Sequence, residues 1–315
     1  HISVSSVPFP FADSVSSFHF PHVHNLISIS ISISRFHFPF PFPLSRIRDH
    51  FSRPFSKDFN NAKTLSFQSG IVRYMDDFIE TICSETGKKE IEGLMEVFVS
   101  LEHMQQSSRH LYAALGKRLR HAGILKTRKV WVEYEAMGVA GIISPWNYPL
   151  ILTLSPMVEA LLSGNAVVLK PSEQTPLTTK LLKTVWDEST EEPELFQVVY
   201  GAGEIGNELV TSCQTDVICF TGSTEVGRKI ASACALLFKP VILELGGKDP
   251  MIILDDADID RSVEAAIWGG LSNAGQTCIS VERIYVQDKI YPQIKKRLSD
   301  SIQQSSAGKG STLIG

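Results

Sequence analysis

The 315 residues hold only five cysteines, Cys83, Cys213, Cys219, Cys234 and Cys278, and no two of them form a C-x-x-C pair. That spacing excludes a zinc ribbon and a disulfide framework, and an odd, scattered set fits a reducing compartment such as the cytoplasm. Neither sign of charge dominates: 30 basic against 34 acidic residues leave a net charge of −4. A balance of that kind gives no electrostatic footprint for nucleic acid or an anionic membrane, so neither is expected as a partner. No uninterrupted apolar run approaches the roughly 20 residues of a membrane-spanning helix. The G-x-G-x-x-G fingerprint of dinucleotide-binding turns is also missing. What is present is 43% hydrophobic and 20% charged residues, enough to bury a sizeable core in two ordinary domains.

Acidic residues are scarce at the start, where Asp13 and Asp49 alone precede Asp58. The same stretch carries an Ile/Ser alternation over residues 27–34 and a Phe/Pro repeat over residues 36–43. Three readings fit it. The Ile/Ser run has the period of a strand, but proline-interrupted repeats cannot continue a sheet. A Ser-rich, acid-poor leader with Arg35, Arg46 and Arg48 has the composition of an organelle transit peptide, which would place the protein in a plastid or mitochondrion. Phe, Ser, Leu and Pro share pyrimidine-rich codons, so a translated repeat would give the same composition, and this third reading is favoured. On each of them residues 1–62 form a low-complexity leader without a packed core.

Residues 74–119 read as helix. Ile91, Leu94, Met95, Phe98, Leu101 and Met104 recur at i, i+3, i+4 spacing and are expected to face the core. Residues 126–137 alternate around Val130, Trp131 and Val132 and read as a hairpin or bridging strand. Short apolar strands then alternate with helices. The strands fall near 138–143, 167–170, 196–200 and 217–220, and the helices near 157–162, 177–186, 205–210 and 225–237. This pattern predicts an α/β fold with an open, buried parallel sheet that binds a nucleotide at the carboxyl ends of its strands. Strands near 241–243 and 251–254, a helix over 259–271 and a strand over 283–286 begin a second, smaller α/β region.

Four strings carry the chemistry. In chain order they are Ser144-Pro145-Trp146-Asn147-Tyr148-Pro149, Phe220-Thr221-Gly222-Ser223-Thr224-Glu225-Val226-Gly227, Glu244-Leu245-Gly246-Gly247-Lys248 and Gly275-Gln276-Thr277-Cys278. They supply an amide donor, a glycine-bearing turn that opens a helix, a carboxylate and a thiol. Each alone is weak. Together, in this order, they resemble the NAD(P)-dependent aldehyde dehydrogenase family, over most of the chain from about residue 71 to 291. The resemblance implies an open parallel Rossmann-type sheet followed by a catalytic α/β domain. It divides the chain into the leader 1–62, an NAD-binding domain 63–243 containing a bridging hairpin at 126–137, and the N-terminal part of a catalytic domain at 244–315. Family members carry a much longer segment beyond the cysteine, so this chain is expected to be truncated, poorly stable and inactive by itself.

The turn at Gly222 lets a backbone approach closely, and the helix after it offers free N–H groups to phosphate. By resemblance Ser223 reaches the pyrophosphate; its plain role is an N-terminal cap. Lys170 and Glu173 would bond the adenosine ribose, with Ser172 beside them. A carboxylate near the 2′-hydroxyl repels a 2′-phosphate, which argues for NAD, with NADP an alternative. Ile143, Ser144 and Trp146 would line the cofactor cleft, and Gly203, Phe220, Val226, Leu245 and Gly246 complete the cofactor set that the resemblance implies.

Aldehyde oxidation by a thiol needs a thiolate, oxyanion donors, a hydride acceptor and a base for hydrolysis. The resemblance assigns the nucleophile to Cys278, the oxyanion donor to Asn147 with the Cys278 N–H, and the general base to Glu244. Burial behind the apolar residues 241–243 is expected to raise the Glu244 pKa. The plain alternative is an edge-of-strand glutamate paired with Lys248. Cys83, Cys219 and Cys234 sit in apolar contexts and read as small core residues. Tyr148, Leu152, Ser155, Ser272, Thr277 and Ile279 map onto the family's aldehyde tunnel. The small residues at Ser155 and Ser272 imply room for a bulky or long small-molecule aldehyde. No metal is implied. A homo-oligomer is implied for the complete family member and is in doubt for this chain.

Overall fold

The computed structural model describes residues 3–6, 57–124 and 126–304. They fall into two compact units, one spanning residues 57–245 and the other residues 246–304 together with 3–6. In chain order the elements are β1 (Ser3–Ser6), α1 (Lys57–Arg73), α2 (Met75–Thr86), α3 (Glu90–Leu115), β2 (Arg118–Arg120), β3 (Val130–Val132), β4 (Val139–Ile143), α4 (Ile151–Leu162) and β5 (Ala166–Lys170). They continue with α5 (Pro176–Ser189), β6 (Phe196–Val198), α6 (Gly203–Thr211), β7 (Val217–Gly222), α7 (Thr224–Leu236), β8 (Val241–Leu245), β9 (Asp249–Ile253), α8 (Ile259–Leu271), β10 (Val281–Val286) and α9 (Tyr291–Gln304).

In the larger unit five strands pair in the order β6-β5-β4-β7-β8, and every pairing is parallel. Strands β4 and β5 are buried along their whole length, as expected for the apolar runs at Val139–Ile143 and at residues 166–169, and the burial extends to Lys170 at the end of β5. Alternate residues feed two cores. Ala140, Ile142, Val167 and Leu169 join Phe67, Phe78, Ile82, Leu154, Met157 and Trp186 from the helices on one face. Val139, Ile143, Val168 and Ile218 join Leu209, Ile230 and Cys234 on the other. This is the doubly wound α/β arrangement that the strand-helix alternation predicts.

The smaller unit holds β9 and β10 in parallel, with α8 and α9 packed on each other. Its core is Ile253, Val263, Ala266, Ile284, Val286, Ile290, Ile294 and Leu298. The expected leader lies almost wholly outside the described residues. Two pieces of it are described: residues 57–62 already belong to α1, and Ser3–Ser6 pairs in parallel with Arg283–Val286 and so covers the edge of β10. An open edge is a template for any extended segment, whatever its sequence.

Two local expectations are corrected. The hairpin is formed by Arg118–Arg120 against Val130–Val132, antiparallel, rather than within 126–137; the last residues of the expected helix supply its first strand. The apolar stripe of α3 does not face the core. Ile91 is 59%, Met95 50% and Phe98 59% exposed, and Leu94 is exposed as well; of the six residues only Met104 is fully buried. The buried face carries Gly93, Glu96, Val97 and Ser100. At Gly93 a Cβ would lie 3.0 Å from the Cys83 Sγ, so α2 and α3 approach closely there. Glu96 is drawn inward by three hydrogen-bond donors. Specific polar partners thus outweigh the apolar spacing of this helix, and spacing alone cannot reveal such partners.

Candidate functional site

From β4 the chain winds outward to β5 and β6, then returns to the other side of β4 to lay down β7 and β8. The direction of winding reverses between β4 and β7, and ligands of open α/β sheets bind outside the carboxyl ends of the strands at such a point. The register sets the sequence-predicted residues along that edge. Ile143 pairs with Lys170 on one side and Phe220 on the other, while Thr221 pairs with Glu244 and Gly222 with Leu245. Asn147 follows β4 by four residues, on the loop Ser144–Leu150 that leads into α4. The larger unit therefore brings together Ile143, Ser144, Lys170, Phe220, Gly222, Glu244 and Leu245 at one edge.

Their surroundings fit a dinucleotide. Ser223 caps α7, its Oγ accepting the Val226 N–H at 3.3 Å, while Thr224, Glu225 and Val226 are exposed. The first-turn N–H groups of a helix have no partners within it, so this exposed end suits a phosphate. Lys170 is 6% exposed and donates from Nζ to Glu173 Oε2 at 3.0 Å. Glu173 itself is exposed, held by its own backbone N–H and then by Lys170, and these bonds lower its pKa below the ordinary glutamate value. Ser172 is buried, and its Oγ accepts the Gln174 N–H at 3.2 Å. Ser144 is buried, bonded through its N–H to the Lys170 carbonyl at 3.1 Å and through its Oγ to Thr153 Oγ1 at 2.8 Å. Trp146 is 36% and Val226 42% exposed, Gly203 opens α6 on the surface, and Gly246 is exposed with open space where a Cβ would stand.

Asn147 is half-buried. Glu244 is exposed at the penultimate position of β8, where burial alternates along an edge strand. The enclosure expected from residues 241–243 is absent, because Ile242 is itself 41% exposed. In the smaller unit Lys248 bonds Glu282 of β10.

In the smaller unit Cys278 lies half-buried on the loop between α8 and β10. Asn273, Ala274 and Gly275 ahead of it all have positive φ, 53°, 54° and 73°. Only glycine adopts that region freely, and the surroundings must hold the other two there. The buried Asn273 does so in part, its carbonyl accepting the Gln276 N–H at 3.0 Å and its Nδ2 donating to the Gln276 carbonyl at 3.2 Å. Beyond the cysteine, Ser280 donates its N–H to the Thr277 carbonyl at 3.0 Å and its Oγ–H to the Gly270 carbonyl at 3.3 Å. Gly247 backs the loop, and a Cβ there would stand 3.0 Å from the Cys278 carbonyl oxygen. Gly247 of the Glu-Leu-Gly-Gly-Lys string thus lets the Cys278 loop pack closely against it.

The model of the aldehyde dehydrogenase family matches residues 64–315. The chain belongs to the aldehyde dehydrogenase family. It is 37% identical over 244 residues to a mitochondrial succinate-semialdehyde dehydrogenase of Arabidopsis thaliana, covering 76% of this chain and 45% of that protein. It is 34% identical over 244 residues to an NADP(+)-dependent succinate-semialdehyde dehydrogenase of Escherichia coli, covering 76% and 50%. An NAD-dependent benzaldehyde dehydrogenase from Corynebacterium glutamicum superposes with a TM-score of 0.78 at 28% identity, over 86% of this chain and 60% of that one. The chain spans about half the length of the curated relatives it matches.

Of the other thiols in this aldehyde dehydrogenase chain, Cys234 is buried, Cys83 and Cys219 are half-buried and Cys213 is exposed. Burial, reinforced by the Glu159 and Glu244 carboxylates, pushes Cys219 up to about 12, and burial raises Cys83 and Cys234 as well. Among the tunnel residues implied by resemblance, Ile279 is 77% exposed, while Tyr148, Leu152, Ser155, Ser272 and Thr277 are half-buried. Ser155 has a neighbour that the sequence did not single out. His103 Nε2 lies 2.8 Å from its Oγ, 3.3 Å from Ser107 Oγ and 3.3 Å from Glu159 Oε1. Lys88 and Glu96 were likewise missed. The signal for all three was polar residues at helical spacing within or beside an apolar stripe. Among the described residues no helix is long and apolar enough to cross a membrane, and no cluster of His, Cys, Asp or Glu could hold a metal ion.

Proposed function

We propose that the protein oxidises an aldehyde to the free carboxylic acid through a covalent intermediate on Cys278, with NAD as oxidant. The observation that carries the reading is the alignment of Ile143, Lys170, Phe220, Gly222 and Glu244 along the carboxyl edge of the parallel sheet, in a chain of the aldehyde dehydrogenase family. The Cys278 thiol gives its proton to a base, the role given to Glu244, and the thiolate so formed adds to the carbonyl carbon. The carbonyl oxygen becomes an oxyanion, held by the Asn147 amide and the Cys278 N–H in this reading. The nicotinamide, when bound, accepts the hydride from the same carbon. Loss of the hydride leaves a thioester on Cys278. Water then attacks, Glu244 takes its proton, and the carboxylic acid departs as the thiolate is regenerated. An exposed carboxylate is open to that water and can pass protons to solvent.

Glu173 supports NAD, since a carboxylate already held charged by Lys170 would repel a 2′-phosphate. The NADP(+)-dependent relative keeps NADP as a second oxidant to be tested. Small residues at Ser155 and Ser272 favour a bulky or long aldehyde, and a semialdehyde is the substrate class in the names of two relatives. Cytoplasmic residence is proposed, or an organelle if the leader is a transit peptide. A homo-oligomer is proposed on Leu236 and Phe238, 84% and 97% exposed at the end of α7, and light scattering checks it. The second reading is a nucleotide-binding member of the family without turnover, favoured by the exposed position of Glu244 on the edge strand β8. Product analysis tests the main proposal. It expects one free acid for each reduced dinucleotide, and faster formation of an acyl-coenzyme A would refute the hydrolytic step.

A further inference from the structure

Helix α4 begins directly after the loop that bears Asn147, and its N-cap is Leu150, which has no side chain able to accept a hydrogen bond. The orphan N–H groups at that end are satisfied from elsewhere. Glu96, in the middle of α3, accepts the Leu150 N–H at 2.8 Å and the Ile151 N–H at 3.3 Å through Oε1. Its other oxygen takes the Lys88 Nζ at 2.6 Å. The side chains of this pair are 0% and 3% exposed. The same ammonium sits 3.9 Å from the centre of the Tyr148 ring. One buried ion pair therefore grips the loop on both sides of Pro149, at the ring of Tyr148 and at the N–H of Leu150, directly beside Asn147.

We infer that Lys88 and Glu96 are positioning residues, which fix the Asn147 amide by clamping the Tyr148-Pro149-Leu150 turn. The inference rests on the oxyanion role proposed above for Asn147. An ion pair taken wholly out of water adds little net stability compared with an apolar pair of equal volume, so stability alone does not explain one at this place. What an apolar pair cannot do is accept the two N–H groups of α4 and hold an aromatic ring by its face. An oxyanion donor acts only when it is already aimed, and a displacement of about 1 Å at such a group can cost on the order of a hundredfold in rate.

The test compares the full chain with Glu96→Ala, Lys88→Met and the double variant Lys88→Met/Glu96→Gln. The readouts are amide hydrogen exchange at Leu150 and Ile151, circular dichroism, dinucleotide affinity and aldehyde turnover. In the double variant the carboxamide oxygen still accepts both N–H groups and no charge is left buried without a partner. Glu96→Ala is expected to speed exchange at Leu150 and Ile151 by about tenfold or more, with β4 and β5 unchanged. Its kcat is expected to fall about tenfold to a hundredfold while the KM for the dinucleotide stays within about twofold. The double variant is expected to regain protection at Leu150 and most of the lost kcat. Unchanged exchange in Glu96→Ala, an equal loss in kcat and dinucleotide affinity, or no recovery in the double variant overturns the inference. A parent chain that binds dinucleotide but never turns over instead refutes the proposed function, and exchange at Leu150 and Ile151 then decides the clamp by itself.

Discussion

Replacing Gly247 by alanine probes the seat of the nucleophile loop with a single methyl group. The new Cβ would stand 2.9 Å from Asp249 Oδ2 and 3.0 Å from the Cys278 carbonyl oxygen. The carboxylate is the end of a side chain and can turn away. The carbonyl is backbone, flanked by the Ser280-to-Thr277 hydrogen bond and by three successive residues at positive φ, and it has little freedom to retreat. Relief to an ordinary contact of 3.4 Å requires a shift of about 0.4 Å in the loop. Overpacking of this kind costs about 1–3 kcal/mol. If rate loss scales towards a hundredfold for 1 Å, a shift of this size predicts about a fivefold to tenfold fall in turnover. Steady-state kinetics and a thermal melt of Gly247→Ala beside the parent measure both effects. Equal activity and an equal melting temperature in Gly247→Ala would refute the argument that this glycine seats the cysteine.

Three further outcomes are expected. Glu173→Gln removes the charge proposed to face the 2′ position and should move the NAD-to-NADP preference towards NADP by about tenfold, measured as the ratio of kcat/KM values; an unchanged ratio would place the discrimination elsewhere. Asn165 accepts the N–H groups of Met137 and Gly138 at 2.8 and 3.0 Å and donates to the Ala160 carbonyl at 3.1 Å, so Asn165→Ala should destabilise the larger unit by about 2–3 kcal/mol, read from denaturant unfolding. Cys219, raised to about 12, keeps its proton in the folded state after the unfolded thiol has lost its own. Its contribution to stability is therefore complete below the ordinary thiol pKa of about 8.5 and is lost as pH rises towards 12, and Cys219→Ala should flatten that part of a pH-stability curve.

The parallel sheet was legible because β4, and β5 up to its final Lys170, are apolar runs that alternate with helical segments, the pattern of a sheet covered on both faces. The motif strings were legible because the turn at Gly222, the cap at Ser223 and the seat at Gly247 each depend on residue type at a fixed spacing. The face of α3 was not. Its apolar stripe points to solvent while Glu96 and Ser100 point inward, since the partners that make Glu96 tolerable in the core, Lys88 and the N–H groups of Leu150 and Ile151, include groups 54 and 55 residues away. The exposure of Glu244 escaped the sequence for a related reason. An apolar run implies burial only for a central strand, and β8 lies at an edge, which is a property of strand order and not of the run itself. The link between His103 and Ser155 likewise depends on how α3 and α4 cross, a matter of packing that neither segment announces.

The central claim is that Cys278 is the nucleophile of an aldehyde-oxidising site. Its most direct measurement is aldehyde-dependent formation of reduced dinucleotide by the whole protein that contains this chain, the chain by itself being expected to be inactive, and by its Cys278→Ala variant, over aldehydes from small aliphatic to bulky aromatic and semialdehyde. The account predicts formation by the parent, loss in Cys278→Ala, and retained dinucleotide binding in both. Equal rates in the two proteins, or binding without turnover in the parent, would contradict it.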